Sequence, residues 1–166
     1  PLLCLIAPDR QNDMIMSMLD VYGQSGRLPK GPMTGNHIIA IITDSYLKGI
    51  TGFDARLAYQ AMKASISESG SATMTSYKEL GYVPSSFSES VTHTAEYAYN
   101  DWVLAQFART AIGETDDYRY YLQRSFNYRN LFDYRSLFLL PRNGNDFISE
   151  PENFGFKEGD KWNYSL

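Results

Sequence analysis

Apolar side chains recur along this chain at helical rather than strand spacing. In "APDRQNDMIMSMLDVYGQSG", Ile15, Met18, Leu19 and Tyr22 fall on one helical face. Pro8 suits the first turn, Asp9 suits the positive end of the helix dipole, and Gly23 or Gly26 supplies the stop. "RLPKGPMTG" is broken by Pro29, Gly31, Pro32 and Gly35 and reads as a loop. In "NHIIAIITDSYLKG" the β-branched Ile38, Ile39, Ile41 and Ile42 favour a strand, whereas Asn36 as a cap, the Lys48-Gly49 ending and the length favour a helix. We assign a helix, apolar on most sides.

A third helix is expected over "TGFDARLAYQAMKASISES", capped near Thr51 or Asp54. "GSATMTSYKELGYVPSS" is turn-rich, with one helical turn at Ser76 to Leu80. "SVTHTAEYAYNDWVLAQFARTAIG" is the clearest helix, capped by Ser90 and ended by Gly113. Ala95, Ala98, Trp102 and Ala105 form one stripe on it; Tyr97, Leu104, Ala108 and Ala111 form another. "DDYRYYLQRSFNYRNLFD" follows after a short loop as the second arm of a helical hairpin. Past Asp133 the pattern shifts to short apolar runs about Asn143-Gly144, predicting a small β-hairpin near 136–150. The closing stretch is expected to be a loop that leads into a further helix. The helix pairs share no fixed period, so a repeat array is not supported.

Composition narrows the function classes. The chain has 166 residues, enough for one domain with a core. A net charge of −4 with no basic run argues against nucleic acid as a partner. No stretch is long and apolar enough to span a membrane. A single cysteine, Cys4, forms no internal disulfide and no cysteine zinc cluster. The 13 tyrosines suit sugar stacking, but equally suit ordinary helix interfaces.

Candidate chemistry rests on carboxylates. His37 and His93 stand near helix starts without a metal-ligand partner, which reads more cheaply as capping than as catalysis. The oxygen-rich "RNGNDF" is explained by its turn. Glu96 and Asp101 lie on the long Ala- and aromatic-rich helix, where a buried charge must be paired or functional; the plainer reading has each facing solvent or pairing with Arg109 or Arg124. Glu158 sits between "NFGF" and Gly159, in a loop beside aromatic residues. A carboxyl held against an apolar ring ionises less readily and donates a proton near neutral pH, the acid half of glycoside hydrolysis.

Seven blocks occur in order: "APDRQNDMIMSMLDVYGQSGRLPKGP", "DSYLKGI", "YKELGYVP", "SVTHTAEYAYNDWVLAQFA", "RSFNYRNLFD", "PRNGNDF" and "EGDKWNY". Together they resemble glycoside hydrolase family 92, the calcium-dependent α-mannosidases abundant in gut Bacteroidetes. The resemblance runs from Pro1 to Tyr164. It implies a mainly α fold, part of an (α/α)6 toroid of antiparallel helix pairs, with residues 1–166 a single piece of the catalytic domain and the flanking parts missing on both sides. It implies hydrolysis of α-mannosidic bonds with inversion, exo-acting and directed at α-1,2 linkages. The general acid falls on Glu158, within a motif like E-G-N-x-W-Q-Y. Asp160 and Asn163 depart from that motif, while Trp162, Tyr164 and Asn163 are placed as substrate contacts. The "GPMTGNH" loop is shorter than the family's.

Calcium and the base carboxylates are implied to lie beyond Leu166, so the chain alone is expected to be inert and to bind no calcium at that site. The expected partner is a mannose-containing glycan, with self-association through exposed barrel faces. Placement in the periplasm, at the cell surface or outside the cell is implied by the resemblance alone. The alternative is a non-catalytic helical-hairpin module that binds a glycan or serves as a scaffold. Acid and amide ligands downstream of Leu166 would distinguish the enzyme from the module.

Overall fold

The computed structural model describes residues 2–67 and 71–148, and these divide into two compact units. The first takes the N-terminal residues to Glu68 and returns for Asn100–Leu122; the second takes Ser69–Tyr99 and the residues from Gln123 onward. Secondary structure is mainly helical, as the apolar spacing predicts. Among the described residues no helix is long and apolar enough to cross a membrane.

The first unit opens with a short helix α1 (Leu3–Ile6), absent from the sequence reading, followed by α2 (Pro8–Ser25). Pro8 begins α2 and Gly26 ends it in the left-handed conformation (φ +74°), its N–H bonded to Tyr22 O at 2.7 Å. In α3 (His37–Leu47) the Asn36 side chain accepts from Ile38 N at 3.1 Å. That cap settles the strand-or-helix ambiguity of the isoleucines. α4 (Ala55–Ser67) starts at Asp54, whose Oδ1 accepts from Arg56 N and Leu57 N at 2.9 and 3.0 Å.

One apolar cluster fills this unit. Ile15 and Leu19 of α2 meet Ile39 and Ile42 of α3, Ala58 and Met62 of α4, and Leu104 and Phe107 further along the chain. The Phe107 ring packs edge-on to Tyr46 at 5.2 Å and parallel to Tyr59 at 6.3 Å. The polar groups inside are satisfied in pairs: Gln11 Nε2 donates to Ser45 Oγ at 2.9 Å, and Ser45 Oγ donates to Ile41 O at 2.7 Å. Gly52 allows α2 to come close, because a Cβ there would lie 2.8 Å from Asn12 Oδ1.

α6 (Ser90–Phe107) contributes residues to both units and is buried on most sides, consistent with two apolar stripes. Ala98, Ala105, Tyr97, Leu104 and Ala108 are buried, whereas Trp102 is half exposed. The helix then widens into a π turn (Ala108–Ile112), closed by Gly113 at φ +80°. α7 (Thr115–Arg124) follows, but the second arm expected to run to Asp133 stops at Arg124 and tightens into a 3₁₀ segment (Ser125–Leu131).

In the second unit, the expected single turn at Ser76–Leu80 is a full helix, α5 (Ala72–Leu80). Ser71 caps it by accepting from Met74 N at 3.3 Å, and Gly81 (φ +76°) closes it. The hairpin expected near 136–150 is present as β3 (Arg142–Asn143) against β4 (Asp146–Phe147). Its two-residue turn is Gly144-Asn145 rather than Asn143-Gly144, since Gly144 takes the left-handed position (φ +61°). A second hairpin precedes it, β1 (Phe132–Asp133) against β2 (Phe138–Leu139), which claims the apolar run before Pro141. Two small clusters fill the unit: Met74, Tyr77, Val83, Tyr97 and Ala98, and separately Tyr82, Val91 and Leu131.

Candidate active site

Helical spacing in α4 puts Tyr59 and Lys63 one turn apart on the same face. Gly113 turns the chain into α7, whose first turn carries Asp116 and Asp117 at the positive end of the dipole. The two elements meet at Asp117 Oδ2, which lies 2.6 Å from Lys63 Nζ and also accepts the Tyr59 hydroxyl. The Lys63 ammonium stands 5.3 Å from the centroid of the Tyr59 ring. These groups line a cleft of 520 Å³ that Arg56, Gln60, Ile112, Glu114 and Asp116 complete.

Burial works against the Asp117 charge, but the hydrogen bonds from Lys63 and Tyr59 outweigh it and hold the carboxyl below the ordinary aspartate value. Burial, and then the bond to Asp117, pushes the Tyr59 phenol well above its ordinary value. Asp117 therefore stays ionised and Tyr59 stays protonated. A general acid needs the opposite, a carboxyl that holds its proton near neutrality. The trio clasps α4 to α7, and neither Tyr59 nor Asp117 is set to give up a proton near neutral pH. Sequence reasoning missed it: the Tyr59–Lys63 spacing is visible, but the carboxylate that completes it is 54 residues from Lys63 and 58 from Tyr59.

Asp133 and Asp44 move the same way. Asp133 is held low by hydrogen bonding with Ser136 and Arg135. Asp44, despite its own desolvation, is held low by Lys48 at 2.6 Å. That pair is an exposed one-turn bridge of small energetic weight.

Of the carboxylates singled out on the long helix, Asp101 is buried, only 1% exposed, beside buried Asn100. The solvent-facing reading fails there. Glu96 is half-buried. The Arg109 guanidinium sits 5.4 Å from the Tyr118 ring, and that of Arg124 sits 5.7 Å from the Tyr77 ring. His37 is exposed at the first position of α3. His93 packs on the Tyr97 ring at 5.4 Å. The oxygen-rich "RNGNDF" is indeed a hairpin, with Arg142 Nε donating to Gly144 O at 2.7 Å. Glu158, Trp162, Asn163 and Tyr164 lie outside the described residues.

Calcium is implied by the resemblance. Among the described residues no three or more His, Cys, Asp or Glu side chains gather to hold a metal ion. The described residues therefore supply no carboxylate cluster to which such an ion could be assigned.

The model of the glycosyl hydrolase family 92 catalytic domain matches residues 1–166. The chain belongs to glycosyl hydrolase family 92. A family 92 α-mannosidase from Bacteroides thetaiotaomicron superposes with a TM-score of 0.86 and 30% identity, covering 96% of this chain and 23% of that one. The same enzyme in complex with mannoimidazole superposes with a TM-score of 0.78 and 34% identity, over 84% of this chain and 20% of that one. A family 92 inverting mannosidase of the same organism gives 0.79 and 31%, over 93% and 24%. An uncharacterized secreted glycosidase of Arthroderma benhamiae is 29% identical, over 72% of this chain and 18% of that protein. This family 92 chain thus spans roughly a fifth to a quarter of the length of these relatives. The helical class and the family expected from the seven blocks both hold.

Proposed function

We propose that this chain is one piece of the (α/α)6 catalytic domain of an inverting, exo-acting α-mannosidase that cleaves α-1,2 bonds in mannose-containing glycans. The observation that carries the reading is the match of the family 92 catalytic domain to residues 1–166, joined by 31% identity to an inverting mannosidase over 93% of the chain. In this reading Glu158 delivers its proton to the glycosidic oxygen as the bond to the anomeric carbon breaks. A carboxylate from the rest of the domain takes a proton from water, which attacks the opposite face and inverts the centre. Trp162 and Tyr164 orient the acid and the sugar, and Asn163 contacts the sugar. Calcium is held by oxygen ligands outside this chain.

Asp44, Asp117 and Asp133 are all displaced in the wrong direction for an acid, so none of these three competes with Glu158 for that role. With only one half of the carboxylate pair, residues 1–166 have no turnover of their own. Placement of the full-length protein in the periplasm, at the cell surface or outside the cell belongs to the same reading, and the secreted relative supports it.

The test uses the full-length protein on an α-1,2-linked mannobiose, with the anomer of the released sugar read by NMR. Release of the β-anomer is expected. Glu158→Gln is expected to lower kcat by at least about 100-fold with little change in KM. Undiminished turnover in that variant, or release of the α-anomer, overturns the mechanism.

A further inference from the structure

Along α4, Arg56, Gln60 and Lys63 recur at helical spacing and present N–H donors to one wall of the 520 Å³ cleft. The facing wall presents the carboxylates of Glu114, Asp116 and Asp117. That wall is built on irregular backbone. Glu114 N donates to Ala108 O at 3.0 Å across the π turn (Ala108–Ile112), and Gly113 (φ +80°) redirects the chain so that Ile112 and Glu114 both line the cleft. Single π turns are rare within helices and occur frequently at functional sites.

Lys63 and Asp117 join the two walls at 2.6 Å, braced by the buried Tyr59. The other groups do not close. Among the described residues the Arg56 guanidinium, the Gln60 amide and the Glu114 carboxylate have no hydrogen-bond or ion-pair partner. Asp116 meets only Arg119 at 3.9 Å, an exposed pair of little energetic weight. Donors and carboxylates that face one another without pairing leave their hydrogen-bonding capacity to whatever enters between them.

A ligand of one charge sign is drawn to one wall and repelled by the other. A hydroxyl both donates and accepts, so adjacent hydroxyls on one ring satisfy both walls together. Ile112 supplies an apolar contact for the C–H face of such a ring. The volume lies within the roughly 300–1,000 Å³ usual for small-molecule sites. We propose that this cleft binds a neutral saccharide, whose adjacent hydroxyls accept from Arg56 and Gln60 and donate to Glu114 and Asp116. Hydrogen bonds to ionised groups are the stronger kind, and the clasp sets the spacing of the walls before the sugar arrives, which lowers the cost of ordering them. The site follows from its lining alone and stands whether or not Glu158 is the catalytic acid.

The test uses the full-length protein and mannose, which the proposed hydrolysis releases and does not consume. Arg56 is modified with phenylglyoxal, its rate is read by peptide mass spectrometry, and N-acetylarginine in the same tube is the reference. Saturating mannose is expected to slow modification of Arg56 at least about fivefold. Glu114→Gln, an exposed substitution on the opposite wall, is expected to raise the half-protecting mannose concentration at least about tenfold. An unchanged rate with mannose, or unchanged protection in Glu114→Gln, overturns the proposal. So does equal protection by sulfate or by glycine betaine, which assigns the cleft to charge and not to hydroxyls. An Arg56 that fails to react without mannose also overturns it, because protein then fills the cleft.

Discussion

The two units of this chain are held by different physics. The first is built on one apolar cluster of Ile, Ala, Met, Leu and Phe drawn from long helices. Burial there is non-directional, so many packings of similar side chains suffice once the periodicity is right. The second divides its apolar groups between two small clusters and carries strands of two residues each. Directional bonds between side chain and backbone hold it instead. Thr94 Oγ1 accepts from Val83 N at 2.9 Å, Tyr77 Oη donates to Arg124 O at 3.0 Å, and Asn130 Nδ2 donates to Gly81 O at 2.9 Å. Arg142 Nη1 reaches Asn130 O at 2.9 Å. Irregular backbone has few internal partners, so polar side chains must stand in for ladders and helical turns. The contrast shows why one half of a mainly helical chain depends on volume and the other on geometry.

Truncating the first unit's core should have the largest effect. Ile42 is fully buried in α3, and Ile42→Ala is expected to cost about 2–5 kcal/mol by lost transfer energy and cavity formation, read as a lower midpoint in denaturant. A cost well below that range would mean that the cluster collapses around the gap. In the second unit the near-isosteric Thr94→Val keeps the volume and deletes the acceptor. It leaves Val83 N–H buried without its partner, at about 1–3 kcal/mol, measurable in the same way. A neutral result would show that this unit relies on burial after all.

The clasp of Tyr59, Lys63 and Asp117 supplies the smallest and most pH-dependent effect. The folded-state pKa of Asp117 is lowered, so its contribution is present above the unfolded value, near 3.9, and is lost as pH falls through the lower folded value. Asp117→Asn is expected to cost about 1 kcal/mol at neutral pH, with the difference from wild type shrinking below about pH 4. A gap in Tm that stays constant from pH 6 down to pH 3 would remove the ionised carboxylate from the account.

Legibility in the sequence followed the same division. Pro8, Asn36, Asp54 and Gly26 each act within one turn of where they stand, so the helix ends of the first unit are readable locally. α5 was underestimated because Ser71, a good cap, sits in a run of small polar residues that also reads as a loop. The β1–β2 hairpin was missed because strands of two residues are too short to show alternation, even with the pairing carried one step further by Leu140 N donating to Leu131 O at 2.8 Å. At the candidate site, resemblance named Glu158, while the Asp117 clasp joins residues with no sequential signature. The burial of Asp101 was likewise beyond a helical pattern in which the charge stands among alanines and aromatics.

The directions of the two displaced pKa values in that clasp bear on how this strut answers to acidity. With the tyrosine proton held on and the aspartate proton held off around neutral pH, neither group trades a proton with the medium there. The strut between the two helices is thus indifferent to swings about neutrality that would gate a histidine, and loosens only where the medium is acid enough to protonate the aspartate.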